Sequence, residues 1–477
     1  MKSVTFISKI KKAQALIAAI AIIVVLALFA VVSASLLGTQ TNQTAIGLVE
    51  STQALYLANA GLEWYLEQLV NDSDWTDETN QSKSFANGTF NIEVSNITSS
   101  SIDIKSIGFV LGPDGRNRER FVTARAKKMP SAFQFALFWG RNTGSTLQLR
   151  NNSTINGDFW SRGNSQVQSG SSVTGFAYCP DNQDITGSGS FTKMQVNSPY
   201  LEMPQIDEVP YNNIIGSFNS YINNYGTNLD LTQNTNLVLN GNVIGCRNFT
   251  TTGNITISGN GYIVAARNVN LHSTNAASGT LTITPSGGNI YILAGRSLTV
   301  NSTQSDTNIT MNPGVYLYSR AQTATDQLVR IRKYSSTNTN INSAFIIANR
   351  RIIVEDGSQV LNSTLYVSDV SDTNNYLQIT NSGTLVSGSI ISVSGRNPGL
   401  IINNNASVSG LIYHWGSTSG YTQLNSANIT GSIVASQYNN NRIASSTITY
   451  DSASIPAILP AGFDNYITVE SNSRDGL

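Results

Sequence analysis

Charge is scarce in this 477-residue chain: Asp, Glu, Lys and Arg make up 12% of it, and 28 basic residues balance 28 acidic ones. A chain without net positive charge has no general means of neutralising a phosphate backbone, which argues against a nucleic-acid partner. The two cysteines, Cys179 and Cys246, stand 67 positions apart and rule out a disulfide-dense scaffold. They fit either one bridge or two buried free thiols. The two histidines, His272 and His414, have no Cys or His at ligand spacing, so a metal site has nothing to build from. No Gly-x-Ser-x-Gly, P-loop or dinucleotide signature occurs, and no cofactor is expected.

One long apolar run is present. Ala15–Leu37 is uncharged, and fourteen of its side chains are Leu, Ile, Val or Phe. As a helix it is long enough to cross a hydrocarbon core of roughly 30 Å. Lys2, Lys9, Lys11 and Lys12 precede it and no Lys or Arg follows until Lys83. The positive-inside bias therefore predicts a cytoplasmic N-terminus and an extracytoplasmic remainder, a single pass through the inner membrane. A secretory signal peptide is the alternative, though its apolar core is usually about 7–15 residues.

The helical pattern continues beyond the run. Leu48, Thr52, Leu55, Ala58, Leu62, Leu66 and Leu69 recur at steps of three and four, so residues 13–70 read as one helix, membrane-spanning in its first half. Alternating segments at Thr89–Ile97, Ser101–Phe109 and Arg120–Ala126 predict a small antiparallel sheet over residues 71–130.

A basic leader over residues 1–12, a long apolar run, a continuing helix with YLANAGLEWYLEQL (Tyr56–Leu69) and then a small sheet resemble the N-terminal module of type IV pilin-like proteins. The likeness is nearest to the minor-pilin and pilus-assembly branch, and Ala58, Ala60, Gly61, Leu62 and Glu63 match its characteristic stretch. It implies leader removal at Ala13/Gln14, although the family usually has Gly where Ala13 stands. It also implies filament packing through Leu48, Leu55, Leu62, Leu66 and Leu69. Major pilins carry a Glu where this chain has Ala18, so the resemblance points to a minor or tip subunit. The implied partners are other pilin-like subunits through the helix, and the lipid bilayer before assembly.

From about residue 131 the texture changes to short strands rich in Val and Ile, broken by Gly and Asn. The glycine pairs Gly157/Gly175, Gly241/Gly259, Gly388/Gly410 and Gly410/Gly431 are separated by 18, 18, 22 and 21. A degenerate repeat near 20 residues predicts stacked coils, a parallel β-helix over residues 131–455, with a β-sandwich as the competitor. A proline-bearing segment with a helical pattern at about 199–225 reads as an insertion packed on the side or end of the stack. Residues 456–477 read as a C-terminal cap and tail. The expected fold class is thus an α+β pilin-like module, with a long transmembrane helix and small antiparallel sheet, followed by an all-β parallel β-helix.

Few residues suggest chemistry. Tyr413, His414 and Trp415 could form an aromatic patch for stacking on a surface glycan or host ligand. Arg330, Arg332 and Lys333 belong to the most basic stretch of the outer part, either a solvated edge or a contact with an anionic glycan. Glu355 and Asp356 recur 13–17 residues before Asp369 and Asp372, a loose match to the carboxylate pair of a glycosidase. The expected function is a non-enzymatic minor or tip subunit of a type IV pilus or pseudopilus, displaying the β-helix for adhesion or as a spacer. A membrane-tethered polysaccharide lyase or glycoside hydrolase is the alternative.

Overall fold

The computed structural model describes the chain from Thr39 to Arg474, except residues 72–77, 86–87, 98–100, 113–114, 128–129, 141–145, 197–200, 202, 273–278, 302–307, 321–327, 334–337, 370–375, 395–397, 417–420, 437, 457–458 and 464–467. The described residues are mostly strand and fall into two units: Met1–Met129 with Asp464–Leu477, and Pro130–Phe463.

In the first unit, helix α1 (Thr39–Asn71) packs on strands β1 (Gln81–Phe85), β2 (Gly88–Ser95), β3 (Ser101–Leu111) and β4 (Asn117–Lys127). Its buried side chains, Ala54, Ala58, Leu62, Tyr65 and Leu69, follow the three-to-four spacing of one helix face. They meet Phe90, Ile92, Ile102, Ile104, Val122, Ala124 and Ala126 from the sheet. Two glycines let the layers approach. A Cβ on Gly108 would lie 2.0 Å from the Ala54 carbonyl oxygen, and one on Gly61 would lie 2.5 Å from Ser106 Oγ. Neighbouring strands run antiparallel, and a fifth, Thr468–Arg474, pairs with β4. The C-terminal residues expected to cap the β-helix thus complete this small sheet instead. The whole second unit lies, in sequence, between two adjacent strands of it.

The expected transmembrane fold and inner-membrane localisation are corrected here. The apolar run Ala15–Leu37 lies outside the described residues, and among those described no helix is long and apolar enough to cross a membrane. Helix α1 opens on TQTNQT and carries Glu50, Glu63 and Glu67, a composition too polar for hydrocarbon. The expected single helix over residues 13–70 and the single-pass placement are withdrawn.

The second unit is a parallel β-solenoid. Each coil supplies strand segments to three faces. One face is a sheet of 13 parallel strands, polar outside, and the other two meet at a glycine bend. Gly388, Gly410 and Gly431 lie opposite one another at that bend with φ of 114°, 129° and 130°. A Cβ on Gly410 or Gly431 would sit 2.0 Å from the carbonyl oxygen of the glycine one coil earlier, which accounts for the repeat in the sequence. Inward Ile, Leu and Val form one continuous core: Ile290, Leu317, Ile346, Leu365, Ile390, Ile412 and Ile433 belong to it, all buried. Cys179 and Cys246 are buried and unbridged.

The coils are not stacked in sequence order. In the 13-stranded sheet the order from one end is Ile185–Thr186, Ser165–Val167, Leu147–Arg150, then Tyr438–Ala444, and onward down to Leu229–Thr232. The chain enters against its own last coil, builds outward to Ser190–Val196, and then returns to the far end. Residues 203–225 make that return along the outside of the stack, so the expected helical insertion is a strap. Its helix, α2 (Val209–Tyr221), begins with a proline in its first turn, where no amide donor is needed. Entry and exit converge: Phe133 and Phe463 meet edge-on with ring centroids 5.2 Å apart.

Candidate functional site

The strap lies on a line of outward aromatic side chains that the strand register places one above another. Tyr262, Tyr291, Tyr316 and Phe345 occupy the same position on four successive coils. Their rings are 4.4, 4.8 and 5.4 Å apart, close to the spacing of hydrogen-bonded strands. Two positions further along each strand runs a second line containing Leu293, Tyr318, Ile347, Tyr366, Ile391 and Tyr413, all fully buried.

Helix α2 covers both lines. Tyr211 stacks on Tyr366 at 3.8 Å, Phe218 meets Tyr291, Tyr316 and Tyr318, and Tyr221 stacks on Tyr262 at 4.4 Å. The phenols find partners on the strap: Tyr318 donates to Asn219 at 2.9 Å, Tyr366 to Glu208 at 3.0 Å, and Tyr413 to the Pro204 carbonyl at 2.9 Å. Burial pushes the Tyr318 and Tyr366 hydroxyls well above their usual range, and Tyr262 up to about 12. These aromatics therefore hold the strap and are not open to a ligand. The signal was in the sequence as a tyrosine at a fixed offset in successive coils: Tyr262, Tyr291 and Tyr316.

The residues singled out as a glycan-stacking patch are divided by the strand phase. Ile412 belongs to the core, so His414 also points inward while Tyr413 faces out beneath the strap. Tyr413 is fully buried and packs edge-on against Phe463 at 4.9 Å. His414 is fully buried, with Nδ1 2.8 Å from Thr422 Oγ1, while its Nε2 has no hydrogen-bond partner among the described residues. Burial pushes its pKa down to about 3, so the ring is neutral at any ordinary pH. Trp415 is half-buried. No open patch joins the three.

The other candidates are placed as follows. Arg330 pairs with Glu355 at 3.2 Å and Arg332 with Asp356 at 2.7 Å, so these two arginines are neutralised by the acids weighed for catalysis. Asp356 also accepts a hydrogen bond from the Asn381 amide at 2.5 Å, fixing it structurally. The side chains of Asp369 and Asp372 lie outside the described residues. Among the described residues no group of three His, Cys, Asp or Glu could hold a metal ion.

On helix α1, Leu62 and Leu69 are spent in the unit's own core and Leu55 and Leu66 are half-buried against it. Leu48 is 59% exposed and Tyr56 36%. Of the five leucines assigned to filament packing, Leu48 alone presents a freely accessible side chain. Ala13 and Gln14, the expected leader cleavage site, lie outside the described residues.

No protein-family model matches the chain, and no curated protein matches it. Among solved structures it is similar to the competence-associated pilin ComZ from Thermus thermophilus, 10% identical, with 89% of this chain and 97% of that one covered at a TM-score of 0.19.

Proposed function

We propose that the chain is a non-enzymatic minor or tip subunit of a type IV pilus or related pseudopilus, presenting its solenoid for adhesion or as a spacer. The observation that carries this reading is the way the solenoid is set into the chain. It lies between β4 and Thr468–Arg474, two paired strands of one small sheet, and its entry and exit meet at Phe133 and Phe463. A module tied at both ends can be exchanged or lengthened without disturbing the helix-and-sheet unit that carries it. Leu48 and Tyr56, exposed on α1, offer that unit a surface for equivalent helices of other subunits.

The test is fractionation of sheared surface filaments, with the chain detected by antibody. Leu48→Asp leaves the described core untouched and is expected to remove the chain from the filament fraction while the purified protein keeps its unfolding temperature. Retention of the variant in filaments, or absence of the parent chain from them, would overturn the reading.

A further inference from the structure

A line of arginines occupies one corner of the solenoid. Each coil leaves the strap-covered face through a small buried residue and turns toward the 13-stranded sheet. At that turn stand Arg247, Arg267, Arg296, Arg320 and Arg350 on five successive coils, following Cys246, Ala265, Ala294, Ser319 and Ala348, which pair in register. Backbone hydrogen bonds join the first three: the Arg267 amide donates to the Arg247 carbonyl at 2.9 Å, and the Arg296 amide to the Arg267 carbonyl at 2.8 Å. Arg320 stands one position earlier in its coil: its amide donates to the Ala294 carbonyl at 2.9 Å, as the Gly295 amide does to Ala265 one coil before.

Positive charge therefore recurs once per coil, about every 4.8 Å. Like charges so close repel, and a fold that needed only solubility would interleave carboxylates, as it does at Arg330–Glu355 and Arg332–Asp356 on the adjoining sheet. At Arg247, Arg267, Arg296 and Arg320 it does not. These four make no ion pair with a described residue. Arg247 and Arg296 are exposed, Arg267 and Arg320 half-buried.

A second line runs beside the first. Asn228, Asn248 and Asn268 stand on successive coils, with the Asn248 amide donating to Asn228 Oδ1 at 2.9 Å and the Asn268 backbone amide donating to Asn248 Oδ1 at 3.3 Å. The corner thus offers guanidinium groups for anions and carboxamides for neutral hydroxyls at the same repeat.

We infer that this corner binds a linear acidic polysaccharide laid along the stack, its carboxylates on the arginines and its hydroxyls on the asparagines. A polyuronate carries one carboxylate per sugar, a repeat close to that of the coils, and guanidinium pairs with carboxylate through two parallel hydrogen bonds. A single-stranded nucleic acid fits less well, because it needs exposed rings for its bases. The aromatic line nearest this corner is occupied by the strap, with Tyr221 on Tyr262 and Phe218 on Tyr291. The inference rests on the reading of the solenoid as a displayed binding module and gives that module its ligand class.

The experiment measures retention of polygalacturonate on the immobilised full-length chain, with neutral dextran and oligothymidylate as comparison polymers. The parent is expected to retain polygalacturonate, to release it as salt is raised, and to ignore dextran. Arg247→Gln/Arg296→Gln, at two exposed positions, is expected to weaken retention at least about tenfold with an unchanged unfolding temperature. Arg330→Gln/Arg332→Gln, which removes paired charges, is expected to leave it within about twofold. Failure of the parent to retain polygalacturonate, equal retention by the Arg247/Arg296 variant, or tighter retention of oligothymidylate would overturn the assignment. None of these outcomes bears on whether the chain enters filaments, which the shear experiment reads separately.

Discussion

The backbone N–H of Gly140 donates to the carbonyl of Ala435 at 2.9 Å, so the strand that opens the solenoid rests on one near its end. Leu137–Trp139 pairs in parallel with Ile433–Ala435 on one side and with Phe159–Ser161 on the other. Ile433 is fully buried at this junction. Ile433→Ala is expected to cost about 2–5 kcal/mol, and hydrogen exchange should quicken at the amides of residues 137–139. In a solenoid stacked in sequence order those amides would not respond.

The glycine bend sets the next expectation. Gly410 combines a φ of 129° with a Cβ position 2.0 Å from the Gly388 carbonyl oxygen. Gly410→Ala should destabilise the solenoid by about 1–3 kcal/mol through the backbone alone, and by more if the clash opens the coil. Gly216, whose Cβ would meet nothing within 4 Å, lies inside α2, and there Ala should be neutral or mildly stabilising. Denaturant melts of the two variants make the comparison.

Removal of the ring that holds the strap should free it. Tyr211→Ala discards the 3.8 Å stack on Tyr366 and the contact with Phe345. A cost of about 3–5 kcal/mol is expected, as for other buried aromatic truncations. Limited proteolysis should then cut within residues 203–225 before any coil is attacked; simultaneous loss of both would show that the strap and the coils unfold as one.

Both histidines make stability depend on pH with the same sign. Burial pushes His414 down to about 3 and holds His272 below its ordinary value, whereas the unfolded chain titrates near 6.5. Below pH 6.5 the unfolded state binds more protons than the native one, so stability is full above that pH and is lost as pH falls toward 3. For His414 the loss is on the order of several kcal/mol across the window. His414→Gln should flatten the fall in unfolding free energy between pH 6.5 and 4, measured by denaturant titration; an unchanged slope would mean that the ring is not held neutral.

Much of the solenoid was legible because each coil repeats the same local requirement. Only glycine tolerates the bend at Gly388, Gly410 and Gly431, and the inward Ile and Val mark the strands on either side. The order of the coils was not legible. Nothing local in Leu137–Trp139 says that its neighbour is Ile433–Ala435, since any apolar strand would satisfy the same edge. Thr468–Arg474, TVESNSR, lacks an alternating apolar pattern, so its place beside β4 could be found only from the sheet. For Tyr413, His414 and Trp415 the strand phase set by Ile412 turns His414 inward, and the cover over Tyr413 comes from Pro204 on the distant strap, which no local pattern shows. The arginine corner did carry a signal, a small residue followed within two positions by Arg at the end of successive coils, which a search for catalytic spacing passes over.

The most direct test of the proposed role is immunogold electron microscopy of sheared filaments, using antibody raised against Pro130–Phe463. The expected result is sparse gold at filament tips or at rare points along them, abolished by Leu48→Asp. Filaments that stay bare while gold is found only elsewhere would contradict the assignment of this chain as a filament subunit.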